Sequence, residues 1–86
     1  MGRKDRWVKA VLCAIYFKCG FSTKCHIPIE AIERRFQPAV RDKIKDAIKE
    51  AERRGLIYRK GGTKSYGLTK LGLSKISREE CLVLSE

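Results

Sequence analysis

The chain has 86 residues, 43% of them apolar and 35% charged, which fits one small domain with a single core and excludes both a multidomain enzyme and a disordered tail. Twenty Lys and Arg against ten Asp and Glu leave a net charge of +10. On so small a body that excess points to a polyanionic partner, nucleic acid before an anionic membrane surface.

The excess is unevenly placed. Residues 1–24 carry six bases and one acid, residues 25–55 eight and six, residues 56–76 five and none, and residues 77–86 one and three. Two segments therefore hold the imbalance. No run approaches the roughly 20 apolar residues of a membrane span, and residues 1–24 are charged throughout, without the apolar stretch of a signal peptide. With four cysteines, this predicts a soluble protein in a reducing, intracellular setting.

Along the chain, Val8, Val11, Leu12, Ile15, Tyr16 and Cys19 recur at helical spacing and predict an amphipathic helix over residues 6–19, stopped by Gly20. Trp7 lies beside the stripe, as a core flank or an exposed contact. Residues 21–26 read as a loop. Pro28 pre-sets the first turn of a short second helix holding Ile27, Ile32 and Phe36, with Ile29 and Ala31 beside them. Gln37-Pro38 interrupts it and Pro38 opens the next helix.

In that third helix, residues 38–54, Val40, Ile44, Ala47, Ile48 and Ala51 share one face. Arg41, Asp42, Lys43, Lys45, Asp46, Lys49 and Arg53 share the other, and Gly55 supplies the stop. Residues 56–60 and 65–68 read as strands around a Gly61-Gly62-Thr63-Lys64 turn. Thr69 caps a helix with Leu71, Leu73 and Ile76. Ser77 and Glu80 form a possible capping box ahead of Leu82-Val83-Leu84. That triplet either tucks under the core or meets a second subunit; the latter is preferred, because the three main helices already supply a core. The fold class is mainly α with a small β-hairpin (α+β), in one domain over residues 1–86: a basic arm (1–5), core and hairpin (6–76), and a C-terminal helix or dimer contact (77–86).

The order helix, short helix, tight turn, helix, hairpin, helix resembles the winged helix-turn-helix superfamily, the architecture of many small prokaryotic, above all archaeal, transcription regulators. The resemblance spans residues 6–76. Its most specific part, Ala47-Ile48-Lys49-Glu50-Ala51-Glu52-Arg53-Arg54-Gly55-Leu56-Ile57-Tyr58-Arg59, is similar to the end of the family's recognition helix, its glycine and its first wing strand. Tyr66-Gly67-Leu68-Thr69-Lys70-Leu71-Gly72 is similar to the second wing strand and the start of the final helix. Two positions depart from the pattern: Pro28 stands where a Ser or Thr cap is usual, and Ala51 where a leucine is often found. The resemblance implies a three-helix core with a wing and a C-terminal helix. It further implies a transcription regulator that binds double-stranded DNA on the cytoplasmic nucleoid as a homodimer, with Leu82, Val83 and Leu84 the candidate contact. A structured-RNA or ribosome-associated domain, or a protein-binding adaptor, is the alternative.

The candidate contacts follow from groove dimensions. A helix about 10–12 Å across fits a major groove about 12 Å wide. Arg41, Lys45 and Lys49 succeed one another at i+4 spacing, where Arg and Lys donate to guanine; Asp42, Lys43 and Asp46 complete the set, an Asp accepting from cytosine or orienting a lysine. Against this stands pairing of Asp42, Asp46 and Lys49 along the helix surface. On the hairpin, Arg59, Lys60 and Lys64 surround Gly61 and Gly62, whose bare backbone can approach a phosphate or enter a minor groove. Arg3 and Lys4, with Arg6, form the basic arm.

Cys13, Cys19 and Cys25 recur every six residues and His26 follows, but no closely spaced pair announces a metal site, and no metal or cofactor is expected. A Cys19–Cys25 disulfide is sterically open, as in intracellular proteins of hyperthermophiles, and Cys81 is free to crosslink subunits. One histidine, with no paired carboxylates in an apolar setting, no phosphate loop and no nucleophile motif, argues against an enzyme.

Overall fold

The structure, a computed structural model, describes residues 3–84 and the side chains of residues 5–82. It is a mainly helical α+β fold. The order is α1 (Arg3–Cys19), β1 (Ile27–Pro28), α2 (Ile29–Glu33), a 3-10 turn (Pro38–Val40), α3 (Arg41–Arg53), β2 (Ile57–Arg59), β3 (Ser65–Leu68), α4 (Lys70–Ser74) and α5 (Arg78–Leu84).

The core is built on α1. Of its predicted stripe, Val8, Val11, Leu12 and Ile15 are buried together with Cys13 and Ala14, while Tyr16 and Cys19 are partly buried against them. Across from it α3 contributes Ile44, Ala47, Ile48 and Ala51, all buried, and the two small alanines allow the helices to approach closely. Helix α1 also touches β1, β3, α2 and α5. Trp7 packs against the core as a partly buried flank. Helix α1 begins at Arg3, so residues 3–5 are its first turn and not a separate arm. The basic side chains of Arg3 and Lys4 lie outside the described residues.

Ile27 and Pro28 lie outside α2. They do not open the second helix; they form an edge strand, with Ile27 opposite Tyr66 and Pro28 opposite Ser65. Pro28 has extended angles, φ −67° and ψ 152°, and a proline without an N–H is tolerated at a sheet edge. Helix α2 is accordingly reduced to five residues. The antiparallel sheet has the order β1-β3-β2.

Residues paired across neighbouring strands share a face. Ile27, Ile57, Tyr66 and Leu68 thus form one buried face toward the core, and the facing pair Tyr58 and Gly67 lies on the other. The loop after α1 crosses this second face at Gly67. A Cβ there would stand 2.5 Å from the Cys25 carbonyl oxygen and 2.6 Å from the Tyr58 ring, and the Tyr58 hydroxyl donates to the Thr23 carbonyl at 2.7 Å.

The predicted stop and cap meet at one junction. Gly55 follows α3 with φ +75°. The Thr69 hydroxyl accepts from the Gly72 N–H at 3.0 Å and donates to the Gly55 carbonyl at 2.7 Å, while the Thr69 N–H reaches the Leu56 carbonyl at 3.2 Å. Helix α4 is thereby tied to the exit of α3. Its Leu71 is 48% exposed. It walls an open groove of about 510 Å³ floored by Val8, Leu12 and Leu56 and rimmed by Asp5, Lys9, Arg54 and Lys75.

All four cysteines are paired. Cys19–Cys25 forms with a Cα separation of 5.5 Å. Cys81, which the sequence left open to a crosslink between subunits, is buried and bonded to Cys13 of the same chain. The Ser77 hydroxyl accepts from the Glu80 N–H at 3.1 Å, the first half of the anticipated capping box. In the apolar triplet Leu82 is 50% exposed, and the side chains of Val83 and Leu84 lie outside those described. Among the described residues no helix is long and apolar enough to cross a membrane.

The close approaches make a direct test. A methyl group at Gly72 would collide with the Leu56 carbonyl oxygen, whereas one at Gly61 meets nothing within 4 Å. Gly72→Ala is expected to destabilise the fold by about 1–3 kcal/mol or more through overpacking, and Gly61→Ala by no more than about 0.5 kcal/mol. Thermal melts followed by circular dichroism measure the difference.

Candidate nucleic-acid interface

The 3-10 turn, closed by a Val40 N–H to Gln37 carbonyl bond of 3.0 Å, leads straight into α3. Asp42 in its first turn and Arg53 in its last both suit the helix dipole. With Ile44, Ala47, Ile48 and Ala51 turned inward, a 3.6-residue repeat places Asp42, Lys45, Asp46, Lys49 and Arg53 opposite them. All five are exposed. Arg41 and Glu52 border this row on one flank. Lys43, Glu50 and Arg54 border it on the other.

The second flank is held by α1. The Lys43 ammonium lies 5.6 Å from the Trp7 ring centroid, within reach of a cation–π attraction. Arg54 Nη1 meets Asp5 Oδ1 at 2.6 Å, and Arg54 Nε and Arg53 Nη2 converge on Glu50 Oε2 at 2.7 and 2.5 Å. The guanidinium of Arg53, and then that of Arg54, holds the Glu50 carboxyl down at a pKa of about 2. Asp5 and then Glu50 push the Arg54 pKa up. The basic end of α3 is thus largely neutralised by its own neighbours.

The rest of the outward row, and Arg41 on its border, are different. Among the described residues no ion pair involves Arg41, Asp42, Lys45, Asp46 or Lys49, so the pairing of Asp42, Asp46 and Lys49 along the helix surface is not adopted. Lys43, grouped with these residues in the sequence reading, belongs to the flank against Trp7.

In the hairpin the basic residues also divide. Arg59 Nε donates to the Thr63 carbonyl at 3.1 Å, and the Thr63 hydroxyl donates to the Lys60 carbonyl at 3.0 Å, so Arg59 braces the turn. Lys60 Nζ is 3.1 Å from His26 Nε2. Gly61, Gly62, Thr63 and Lys64 are exposed at the tip. The Lys64 carbonyl accepts from the Ile29 N–H at 2.8 Å, which anchors the hairpin to the start of α2.

Three participants were not identified from sequence. Glu50 stands three and four residues before Arg53 and Arg54, a spacing that carries the signal. Trp7 and His26 reach their partners only through the tertiary fold, and no local pattern marks them. Among the described residues no three His, Cys, Asp or Glu side chains gather as a metal site. No family model matches the chain, and neither the curated proteins nor the solved structures include a match.

The Glu50 cluster has a definite acid signature. A carboxyl whose pKa falls from 4.5 to about 2 on folding contributes stability that is complete above pH 4.5 and is lost as the pH drops toward 2. Glu50→Gln is expected to lower the melting temperature at pH 6 and to flatten its dependence between pH 4.5 and 2, with the two proteins converging below pH 2. Melting curves across that range check the sign.

Proposed function

We propose that the chain is a winged helix-turn-helix domain that binds duplex DNA and acts in transcription regulation. In this reading α2, the turn and α3 form the helix-turn-helix, α3 lies in the major groove, and the β2–β3 hairpin is a wing on phosphate or the minor groove. The observation that carries it is Arg41, Lys45 and Lys49 on α3, without ion-pair partners among the described residues, joined through Gly55 to a hairpin region without acids. The sheet order β1-β3-β2, with β1 directly ahead of α2, supports the same architecture.

Roles follow from chemistry. Lys45 and Lys49 on the outward row, with Arg41 at its border, donate to guanine edges; Asp42 and Asp46 accept from cytosine or orient the lysines. Lys60 and Lys64 grip phosphates, and the Gly61-Gly62 backbone permits close approach. Lys43 is held back by Trp7 and contributes charge at the edge of the groove. Glu50 keeps Arg53 and Arg54 engaged with the protein.

Two measurements test this reading. About six phosphate contacts predict a log–log salt dependence of duplex affinity with slope near −5; the Lys60→Gln, Lys64→Gln protein should make that slope shallower by about 2 and weaken binding evenly across sequences. Selection of bound sequences from a random duplex library should yield a preferred motif, palindromic if two copies bind together. Replacing Arg41, Lys45 and Lys49 together by alanine should erase that preference. A slope near zero, an unchanged profile in the triple variant, or displacement of duplex by folded RNA at equal salt would each refute the assignment.

A further inference from the structure

The two disulfides differ in access and in what they hold. Cys13 and Cys81 are 3% and 0% exposed, closed inside the core. Cys19 and Cys25 are half-buried and join the last residue of α1 to the loop just ahead of β1. Within that loop the only side-chain bond among the described residues is from the Lys24 N–H to Ser22 Oγ, 3.2 Å.

The loop is also the seat of the hairpin. The Cys25 carbonyl lies over Gly67, and the Tyr58 hydroxyl donates to the Thr23 carbonyl. His26 touches Lys60. Strand β1 itself is only two residues long, and its Pro28 has no N–H to donate, so the ladder to β3 does little to hold the segment unaided. Residues 20–26 are fixed by the sulfur bridge together with the Tyr58–Thr23 hydrogen bond and the Phe21 ring against Tyr16, and the bridge is the covalent tie among them.

We propose that Cys19–Cys25 is a redox-modification site, opened by a dithiol reductant, that sets the rigidity of the hairpin. A thiolate of the reductant attacks one sulfur, the Cys19–Cys25 bond breaks, and a mixed disulfide forms. The second thiol of the reductant resolves it. Two electrons and two protons end on Cys19 and Cys25 as thiols, and the reductant leaves as its own disulfide. Released residues 20–26 then lose their fixed place on Tyr58 and Gly67, and the hairpin loosens while Cys13–Cys81 keeps the core closed. The consequence for DNA rests on the proposed function: the open form binds duplex more weakly, because a mobile hairpin must be ordered on binding.

The test titrates the full chain with dithiothreitol, with alkylation and mass spectrometry to report which cysteines open. Cys19 and Cys25 are expected to label first. At that stage hydrogen exchange at the Ile29 and Lys60 amides should rise by about tenfold or more, with the centre of α1 unchanged, and duplex affinity should fall roughly three- to tenfold. The Cys19→Ser, Cys25→Ser protein should show the loosened hairpin without reductant, and Tyr58→Phe should loosen it with the bridge intact. Unchanged hairpin exchange after the bridge opens, or opening of Cys13–Cys81 first, would overturn the proposal. Loosening with no duplex binding in either state would support the clamp and overturn the proposed function instead.

Discussion

Burial of the α1 stripe is the interaction on which the other contacts hang. Val11, Leu12 and Ile15 are wholly enclosed, and side chains of that size contribute about 1.5–3 kcal/mol each when fully buried. A chain this short has few such residues, so one central helix must serve several neighbours at once. Cross-links of every kind consequently start on α1. Both disulfides do, and so do the contacts Asp5 to Arg54, Trp7 to Lys43, Lys9 to Glu80 and Phe17 to Arg35. The position of α3, and with it the direction of its outward row, is inherited from this packing.

Electrostatics then separates two kinds of cation. Those close to α1 or to Glu50 are engaged: Arg53, Arg54 and Lys43 each have a partner on the protein. Such exposed pairs contribute little to stability, so their larger effect is on where positive potential remains. It remains on Arg41, Lys45 and Lys49 and at the hairpin tip. The net +10 of the chain lies mainly outside α3, in residues 1–24 and 56–76; on α3 the basic end is paired, and Arg41, Lys45 and Lys49 alternate with Asp42 and Asp46.

Much of this was legible in the sequence. The helical period in α1, the glycine ending α3, the Thr69 cap and the Gly61-Gly62 turn are local signals, and each stands where its chemistry predicts. Strand β1 was not legible, because two residues with a proline carry no alternation, and only the pairing of Ile27 with Tyr66 makes them a strand. The Cys13–Cys81 pairing was equally hidden, since cysteines 68 residues apart meet only when α5 folds back on α1. For the interface, the cationic face of α3 was readable from periodicity alone. Its division into an open row and an engaged flank was not, because that depends on where Trp7 and Asp5 arrive.

The two disulfides divide the work of stabilising a small, strongly charged body. In the chain-entropy model a bridge closing 68 residues contributes about 4 kcal/mol and one closing six about 2 kcal/mol. Self-repulsion among unpaired cations works against both. The long bridge therefore carries the greater part of the constraint on the unfolded chain, and it is the more deeply buried of the two. The short bridge contributes less to global stability and sits at the surface, between the end of the central helix and the loop beneath the hairpin. Opening it removes a local restraint without removing the one on which the fold chiefly depends. A polyanion bound along α3 and the hairpin would relieve the same repulsion that the bridges withstand, so such a ligand would stabilise the same arrangement by a means independent of the disulfides.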